Sequence, residues 1–361
     1  MTEKLKSWNI KLFLAVSLAL TGFLVCITTF VMMYEWLRHQ PLFIHLVSAE
    51  VQPKKQTVNF IAVGDIMLSR NVARHAEKAW SAEWIWTHIS DFLLGSDFVF
   101  GNLEWPTNGT NAYSYDKVLT FNALPKLITT LKSVGFEMIN LANNHILDQG
   151  QRGITETKKL LDSLNIKTTG ASDKAEEVWK PTIIEKNGIK IAFIGASYAA
   201  YNDNGAGQSV FVARMQDTEK LIASLASIKQ EADFIVVTMH AGQEYVLTPT
   251  NLQKEFAHTA IENGADIVIG AHPHWIQTVE YYQRKYIFYS LGNFVFDQEF
   301  SEETKTGLAL QIFLEKVEGK TSLNQISLNP IIIENYGQPR LANDEEADKI
   351  LKKIGEEKIL Y

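Results

Sequence analysis

The chain contains an apolar run followed at once by two histidines, in the stretch Gly264-Ala-Asp-Ile-Val-Ile-Gly-Ala-His272-Pro-His274-Trp275. The run from Asp266 to Ile269 has the length and composition of a buried strand, and Gly270 ends it. Imidazole is the commonest protein ligand for zinc and similar metals. Such an ending would aim both histidines from a sheet edge toward one point. The alternative is that they are ordinary surface loop residues, so the choice depends on what the rest of the chain brings to them.

Four other strand-like runs also end in polar side chains of ligand type. They are Asn59–Val63 before Asp65, Asp97–Gly101 before Glu104, Phe136–Ala142 before Asn144, and Phe234–Met239 before His240. Longer stretches with helical character separate these runs. The alternation predicts an α/β protein with a mostly parallel or mixed sheet.

Further elements are predicted from periodicity and turn signals. The helices are Pro125–Ser133, Gly153–Leu164, Asp217–Glu231 and Asp344–Lys358; the strands are Glu280–Ser290, Leu308–Glu315 and a hairpin of Thr182–Glu185 with Ile189–Gly195 around Gly188.

The polar strand ends are expected to meet, because sites in open α/β sheets form outside the carboxyl ends of the strands. The side chains that would gather there are Asp65, Glu104, Asn144, His240, His272 and His274. Carboxylate, amide oxygen and imidazole together suit one or two divalent ions of Mn, Zn or Fe. Convergence of five loops favours a metal site over ordinary surface residues.

Six short motifs follow one another in a fixed order between about residues 58 and 300. They are Val63-Gly-Asp-Ile-Met-Leu-Ser-Arg70, Gly101-Asn-Leu-Glu104, Asn143-Asn-His145, His240-Ala-Gly-Gln-Glu-Tyr245, Gly270-Ala-His-Pro-His274 and Ser290-Leu-Gly-Asn-Phe294. The ordered set resembles the CapA-type capsule synthesis proteins, which are associated with poly-γ-glutamate capsules and belong to the calcineurin-like metallophosphoesterase superfamily. The resemblance implies a four-layer sandwich, in which helices flank two mixed sheets.

The resemblance also implies a role for each motif residue. Asp65 and His274 resemble ligands of the first metal; Asn144, His240 and His272 resemble ligands of the second. His145 resembles the histidine that does not bind metal and protonates the leaving group.

Two positions depart from the superfamily pattern. Met67 stands where the superfamily has a histidine, and a thioether is a poor ligand for Mn²⁺ or Mg²⁺. Asn102 aligns with the aspartate that bridges the two metals. Along an extended segment residues 102 and 104 point to the same side, so Glu104 could supply the carboxylate. A full two-metal centre, one firmly held ion and an adjusted pair all remain open.

Other residues near these motifs have two interpretations each. Arg70 could bind an anionic substrate through its planar fork or form a surface salt bridge. Glu244 could act as a general base or a partner of the site, or be a solvated loop acid. Asn293 reads equally as a turn residue or a site amide. Aromatic residues that could wall a groove for an extended polymer, or seal the sheet edge, are Trp105, Tyr198, Tyr201, Tyr245 and Trp275.

An N-terminal segment is predicted to cross a membrane. Leu12–Met33 carries no charge and would span roughly 33 Å as a helix. Lysines precede it, so the positive-inside rule places the N-terminus in the cytoplasm and the main domain outside. A cleaved signal peptide is the alternative, although its core is normally shorter and a small-x-small site follows it. The predicted division is a tail (1–11), an anchor (12–33), a linker (34–57) and one large domain (58–361).

Composition limits the partners. The net charge is −7, and no basic stripe is present to neutralise phosphates, which argues against a nucleic-acid partner. It also disfavours passive attraction of a polyanion, which would need a local basic pocket or the metal. The single cysteine, Cys26, lies in the predicted anchor, so thiolate metal sites and disulfides are excluded from the domain.

Two functions are compatible with the sequence. The first is a membrane-anchored, metal-dependent hydrolase or transferase, acting on a phosphoester or on an anionic surface polymer with γ-glutamyl bonds. The second is a non-catalytic assembly or export subunit, which binds the polymer and other capsule-synthesis membrane subunits. The altered positions 67 and 102 favour the second function, and the intact amide and histidine motifs favour the first.

Overall fold

The computed structural model describes residues 2–39, 55–110, 121–198, 209–355 and 359–360. The chain divides into two compact units, Met1–Lys54 and Lys55–Tyr361. Tyr201, one of the predicted groove aromatics, lies outside the described residues.

The first unit contains helix α1 (Thr2–Arg38). Its segment Lys11–Arg38 is 28 residues long and, by length and composition, apolar enough to cross a membrane. A signal sequence near the N-terminus would pass the same test. The helix continues past Met33 to Arg38, since no proline or glycine interrupts it there. The division into anchor and linker stays a prediction.

The second unit alternates strands with helices. In chain order the strands are β1 (Lys55–Ile66), β2 (Phe98–Leu103), β3 (Phe136–Asn140), β4 (Lys167–Thr169), β5 (Thr182–Lys186), β6 (Ile189–Tyr198), β7 (Phe234–Ala241), β8 (Ile267–Ala271), β9 (Val279–Tyr282), β10 (Lys285–Phe288), β11 (Asn293–Val295), β12 (Thr306–Val317), β13 (Lys320–Glu334), β14 (Gln338–Leu341) and β15 (Ile359–Leu360). The helices are α2 (Arg70–Lys78), α3 (Ser90–Leu94), α4 (Pro125–Ile128), α5 (Thr130–Ser133), α6 (Gly150–Ser163), α7 (Thr218–Ile228), α8 (Asn251–Glu262) and α9 (Asp344–Ile354).

The strands form two mixed sheets, as the resemblance implied. The first has the order β14-β13-β12-β1-β2-β3-β4, with β11 beside β1 and β15 beside β13. The second has the order β5-β6-β7-β8-β10-β9. The strands that lead into the predicted site are parallel to their neighbours within each sheet, β1 to β3 in the first and β7 to β8 in the second. Their carboxyl ends therefore lie at one edge of each sheet.

Alternation along the strands builds three cores and hence four layers. Phe98 and Phe100 of β2 point between the sheets, where they pack with Phe60 and Phe193, while Val99 points toward the helices. The Phe60 and Phe98 rings stack at 5.0 Å, and Phe100 lies 5.1 Å from Phe193. A third core joins the second sheet to α7 and α8. Helices thus cover the outer faces of both sheets, as the resemblance implied.

Turn geometry explains where the predicted elements were right and wrong. The hairpin of β5 and β6 is confirmed, and Asn187 and Gly188 turn it with φ of 51° and 79°. The single strand predicted over Glu280–Ser290 is wrong. Gln283 and Arg284, at φ of 46° and 64°, fold it into the hairpin of β9 and β10 without any glycine to signal the turn.

The predicted helices also differ at their ends and in continuity. The helix predicted from Pro125 is two short helices, α4 and α5, rather than one. The predicted terminal helix ends at Ile354, because Gly355 adopts φ of 77° and caps it. Residues 356–358 of that prediction lie outside the described part of the chain.

Two glycines allow the site-bearing segments to approach one another. A Cβ on Gly64, next to Asp65, would lie 1.9 Å from the carbonyl oxygen of Gly292. A Cβ on Gly270, two residues before His272, would lie 2.0 Å from the carbonyl oxygen of Tyr289. Both contacts are impossible for any larger residue, so these glycines permit the strand ends to meet.

Candidate metal site

The predicted ligands converge at the edge where the strands end, and all are buried. Their exposed fractions are 0 % for Asp65, 0 % for Glu104, 1 % for Asn144, 0 % for His240, 4 % for His272 and 4 % for His274. The first three follow or end strands of the first sheet, and the histidines belong to the second. Two groups have ligand atoms within 4.8 Å of one another, Glu104 with His240 and His272, and Asp65 with Glu104 and His274.

His240 is the centre of the first group. Its Nε2 atom lies 2.8 Å from Asn144 Oδ1, 3.1 Å from His272 Nδ1 and 3.8 Å from Glu104 Oε1. One amide oxygen, two imidazole nitrogens and one carboxylate oxygen therefore surround a single point. This is the donor set that a borderline divalent ion such as Zn²⁺ or Mn²⁺ accepts.

Asp65 is the centre of the second group. Its Oδ1 accepts a hydrogen bond from Asn102 Nδ2 at 2.7 Å, and its Oδ2 accepts one from the His272 backbone amide at 3.1 Å. His274 Nδ1 lies 3.6 Å from the same Oδ2 and 2.9 Å from Asn293 Oδ1. Asn293 is thus a site amide rather than a simple turn residue, and it orients the His274 ring.

Glu104 belongs to both groups, and burial disfavours its charge more than the nearby charge of Arg70 favours it. Both carboxylate oxygens are buried, and no hydrogen-bond donor reaches either of them among the described residues. The nearest imidazole atoms lie 3.8 Å and 3.9 Å from its Oε1, on His240 and His145. A buried carboxylate without partners is costly, and a cation would remove that cost. The residues present therefore fit a divalent ion.

The two departures from the superfamily pattern have separate structural explanations. Asn102 directs Nδ2 toward Asp65 and holds its Oδ1 against Asn140 Nδ2 at 2.8 Å, so it acts as a brace between strands. Met67 is buried, and its sulfur accepts a hydrogen bond from the Ser69 amide at 3.3 Å. Sequence reasoning missed Asn140, although a polar residue inside the apolar run Phe136–Ala142 was a signal.

Burial sets the charge state of the metal-free site. It lowers the pKa of His240 well below its ordinary value, that of His272 to about 4 and that of His274 to about 3. The imidazoles are therefore neutral near pH 7, and their contacts with carboxylates at 3.6–3.8 Å are not ion pairs. Burial also raises the pKa of Asp65 to about 7 and that of Glu104 well above its ordinary value. A bound cation would reverse these carboxylate shifts.

The raised pKa of Asp65 predicts how the stability of the metal-free protein depends on pH. Between about pH 4, where an unfolded aspartate titrates, and about pH 7, the folded state keeps a proton that the unfolded chain releases. The stability that this proton supports is complete below pH 4 and is lost as the pH rises toward 7. His240, His272 and His274 contribute in the opposite sense, because their lowered pKa values make stability rise with pH over part of the same window. We therefore expect the melting temperature of the EDTA-treated wild type to fall across this window relative to that of Asp65→Asn, which keeps the histidines.

Asp65→Asn removes the Asp65 titration and keeps the histidines, so the difference between the two melting temperatures reports the Asp65 proton. Adding Mn²⁺ to the wild type should remove this relative fall, because a cation stabilises the carboxylate. A wild-type melting temperature that rises relative to that of Asp65→Asn over the same window, both in EDTA, would contradict the assignment.

His145 forms a pair with an acid that sequence reasoning missed. Its Nδ1 lies 2.9 Å from Asp148 Oδ2, which also accepts a hydrogen bond from the Phe121 amide at 2.9 Å. The His145 ring contacts those of Phe121 and Trp105, with centroids at 4.7 Å and 5.6 Å. The acid fixes one ring nitrogen, so Nε2 faces the site near Glu104. The available signal was that Asp148 follows His145 by three residues.

Arg70 forms a salt bridge, and its predicted binding of an anionic substrate stays a prediction. Its Nη2 and Nε atoms bind Asp297 at 2.8 Å and 3.2 Å, and Asp297 is buried. The guanidinium also lies over the rings of Trp105 and Phe121, at 5.6 Å and 5.5 Å. The Arg70 side chain is nevertheless 39 % exposed. It is a fixed cation beside the site that still faces solvent.

Glu244 lies near the ligands without touching them. Its charge helps to raise the pKa of both Asp65 and Glu104, and its carboxylate hydrogen-bonds to Tyr245. Its two predicted roles, a general base or partner of the site and a solvated loop acid, stay predictions.

The predicted aromatics divide into three settings. Trp105 is 1 % exposed and stacks on Phe121 at 3.4 Å, so it seals the sheet edge. Tyr245 lies 5.9 Å from His274, 6.5 Å from Trp275 and 5.1 Å from the exposed Phe300, and these rings form a wall beside the site. Tyr198 packs instead against the core under α7 and α8, so the structure does not bring it to the site.

The structure thus combines two mixed sheets between helices with carboxylates, amides and imidazoles that converge at the strand ends. Residues 59–298 match the family model described as Bacterial capsule synthesis protein PGA_cap, and the chain belongs to that family. The resemblance read from the motifs is therefore confirmed.

Known proteins similar to this chain include two from Bacillus. The capsule biosynthesis protein CapA of Bacillus anthracis is 31 % identical over 283 residues, which cover 76 % of this chain and 68 % of that protein. The PGA biosynthesis protein CapA of Bacillus subtilis is 33 % identical over 256 residues, covering 70 % and 67 %. Among solved structures, the calcineurin-like phosphoesterase YfkN of Bacillus subtilis aligns with a TM-score of 0.48 and 14 % identity, over 83 % of this chain and 97 % of that one.

Proposed function

We propose that this protein is a metal-dependent hydrolase or transferase of capsule polymer synthesis, acting on a phosphoester or a γ-glutamyl bond. The observation that carries the proposal is Glu104. Its buried carboxylate has no donor among the described residues, and it lies between two groups of neutral imidazoles. A protein that only bound polymer through its surface would gain nothing from this costly arrangement.

The residues divide into two possible ion positions. His240, His272, Asn144 and Glu104 would hold one divalent ion, of Mn, Zn or Fe. Asp65, His274 and Glu104 would hold a second, more weakly, because Met67 offers no ligand there. A bound ion supplies a nucleophilic hydroxide near neutral pH and polarises the bond under attack.

The remaining residues would handle the proton and the substrate. His145 would donate a proton from Nε2 to the leaving group, while Asp148 holds its Nδ1. Arg70, fixed by Asp297 yet open to solvent, would bind an anionic group of the substrate. The aromatic wall of Tyr245, Trp275 and Phe300 would line a groove that holds an extended polymer substrate.

The location follows from the N-terminal helix. We propose that α1 is an uncleaved anchor with its N-terminus in the cytoplasm, so that residues 55–361 work at the outer face of the cell membrane. The lysines before the apolar segment support this orientation. An anionic surface polymer and other membrane subunits of capsule synthesis would be the partners there, and nucleic acid would not.

Metal analysis of the full-length protein in detergent tests the proposal. After loading with Mn²⁺ or Zn²⁺ and desalting, we expect one or two ions per chain and turnover of bis(p-nitrophenyl) phosphate or of a γ-glutamyl oligomer. His272→Ala should lose the metal, and His258→Ala, which changes a histidine that binds Glu280 instead, should keep it. Absence of stoichiometric metal from both loaded preparations would refute the proposal.

A non-catalytic assembly subunit is the second candidate. It is favoured by Asn102, which donates a hydrogen bond to Asp65 where the superfamily has a bridging ligand. It is also favoured by Met67, whose sulfur accepts a hydrogen bond from the backbone amide of Ser69. Stoichiometric metal without turnover of either class of substrate would support this candidate over the first.

A further inference from the structure

A basic cavity of about 320 Å³ lies where the edge strands β4 and β5 meet. Three lysines line it, Lys158 of α6, Lys167 of β4 and Lys180 before β5. None of the predicted metal ligands lines this cavity, which we call the lysine pocket. It lies within the second unit, in a chain whose net charge is −7.

Among the described residues the three lysines form no ion pair with a neighbouring acid, although the charges of Lys158 and Lys180 stabilise the Glu177 carboxylate from a longer distance. Lys158 Nζ donates to Thr168 Oγ1 at 3.1 Å, and Lys167 Nζ donates to the Ile183 carbonyl oxygen at 2.6 Å. Both partners are neutral, so each ammonium keeps further N–H donors and its full charge. Over the described ranges, no carboxylate comes within 4.0 Å of the ammonium of Lys158, Lys167 or Lys180.

The acids at the pocket are partly engaged elsewhere. Glu177 lines the pocket, and its Oε1 pairs with Lys174 at 3.3 Å. Asp173 lies beside the pocket and faces the hydroxyl of Ser172 at 3.5 Å. Counting Lys174 with the three lining lysines, four cations face three acids, because Glu176 also acts on Lys174. The pocket is therefore locally positive in a chain whose net charge is negative, and a concave cluster of positive charge concentrates anions.

The floor of the pocket is continuous with the strand that leads to the metal site. Gly170 lines the pocket at φ of 85°, and a Cβ there would lie 2.5 Å from Ala142 Cβ and 2.9 Å from Asn140 Oδ1. Asn140 in turn holds Asn102, which binds Asp65. An anion in the pocket would thus sit behind the strand ends and apart from the ligands.

We propose that the lysine pocket binds an oxyanionic ligand that carries two or more negative charges as carboxylates or phosphates. Lysines act as point charges with rotatable donors, and they do not impose the planar pairing that arginine imposes. The pocket therefore suits a flexible polyanionic segment. This binding is independent of the metal and goes beyond the proposed function.

The test uses full-length, EDTA-treated protein in detergent, so that metal makes no contribution. Fluorescent γ-linked oligoglutamate, α-linked oligoglutamate and inorganic tripolyphosphate are the probes, and binding is measured by anisotropy or by competition. We expect Lys158→Gln/Lys167→Gln/Lys180→Gln to weaken binding by at least about tenfold, because each close charge contributes about 1 kcal/mol even in water.

The matched control is Lys229→Gln/Lys254→Gln/Lys320→Gln, which removes the same charge from exposed lysines elsewhere. It should change affinity by less than about twofold at the same ionic strength. Lys167→Arg/Lys180→Arg keeps the charge and should keep binding, which guards against a folding defect in the glutamine variant. Tighter binding of the glutamate oligomers would assign carboxylates, and tighter binding of tripolyphosphate would assign phosphates. Equal losses in both glutamine variants, or no binding of any probe, would overturn the proposal.

Discussion

Replacing Glu104 with glutamine is expected to abolish metal binding and, in the same protein, to raise the melting temperature of the metal-free form at pH 8. Glu104 belongs to both ligand groups, and its oxygens lack donors in the described structure. The neutral amide removes the cost of a buried, uncompensated charge, which we put at roughly 1–3 kcal/mol. Loss of a ligand should weaken metal binding more than the ~10–100-fold that indirect partners contribute.

Metal content by mass spectrometry and thermal melts with and without EDTA measure both effects. Glu185→Gln is the matched control, because Glu185 is an exposed strand residue and its change should alter neither quantity. The gain in stability should shrink as the pH falls, since protonated Glu104 and glutamine are both neutral. A Glu104→Gln variant that keeps its metal, or that melts lower than the wild type in EDTA at pH 8, would show that Glu104 has another role.

Replacing His145 with asparagine is expected to lower kcat by about 10²–10⁴ while metal content stays unchanged. The reason is geometric, because Asp148 holds Nδ1 at 2.9 Å and Nε2 faces Glu104 at 3.9 Å, while neither of the two ligand groups includes His145. Turnover of bis(p-nitrophenyl) phosphate and metal content are measured on the same preparation. Asp148→Asn should lower kcat less, because it disturbs the orientation of the ring and leaves the imidazole in place.

His258→Asn serves as the control for loss of a histidine, since His258 pairs with Glu280 and stacks on Tyr282. It should leave both readouts unchanged. Loss of metal from His145→Asn would show that His145 is a ligand. An unchanged kcat would show that the leaving group obtains its proton from another source.

The sequence predicted the convergence of the six ligand candidates because each one directly follows an apolar strand. Each signal is local in the sequence. The candidates come together because the carboxyl ends of parallel strands lie at the same edge of a sheet. The residues that hold the ligands were not predictable in this way. Asp297 binds Arg70 across 227 positions, and Asn140 acts through Asn102, 38 positions away. Neither pairing leaves a pattern in a single chain.

The antiparallel half of the first sheet was also underpredicted. β13 runs from Lys320 to Glu334, and its first half is mostly polar, with Leu323 and Ile326 three positions apart rather than two. Pro330 lies near the start of the apolar half of β13, and a proline inside a strand lacks the backbone N–H that a neighbouring strand would bind. β13 accommodates Pro330 because β14 pairs with β13 only from Ile331 onward. Predicted boundaries elsewhere shifted by a few residues, since capping and turn geometry decide them.

The division of the ligands between two sheets gives a bound ion a mechanical role. Asp65 and Glu104 come from one layer and the three histidines from the other, so ligation would cross-link layers that pack through the phenylalanine core of Phe60, Phe98, Phe100 and Phe193. Binding energy would then be folding energy, and occupancy would add stability in proportion to the logarithm of ion concentration above the dissociation constant. Conversely, a substitution in the aromatic core that altered the distance between the two sheets would change the metal affinity.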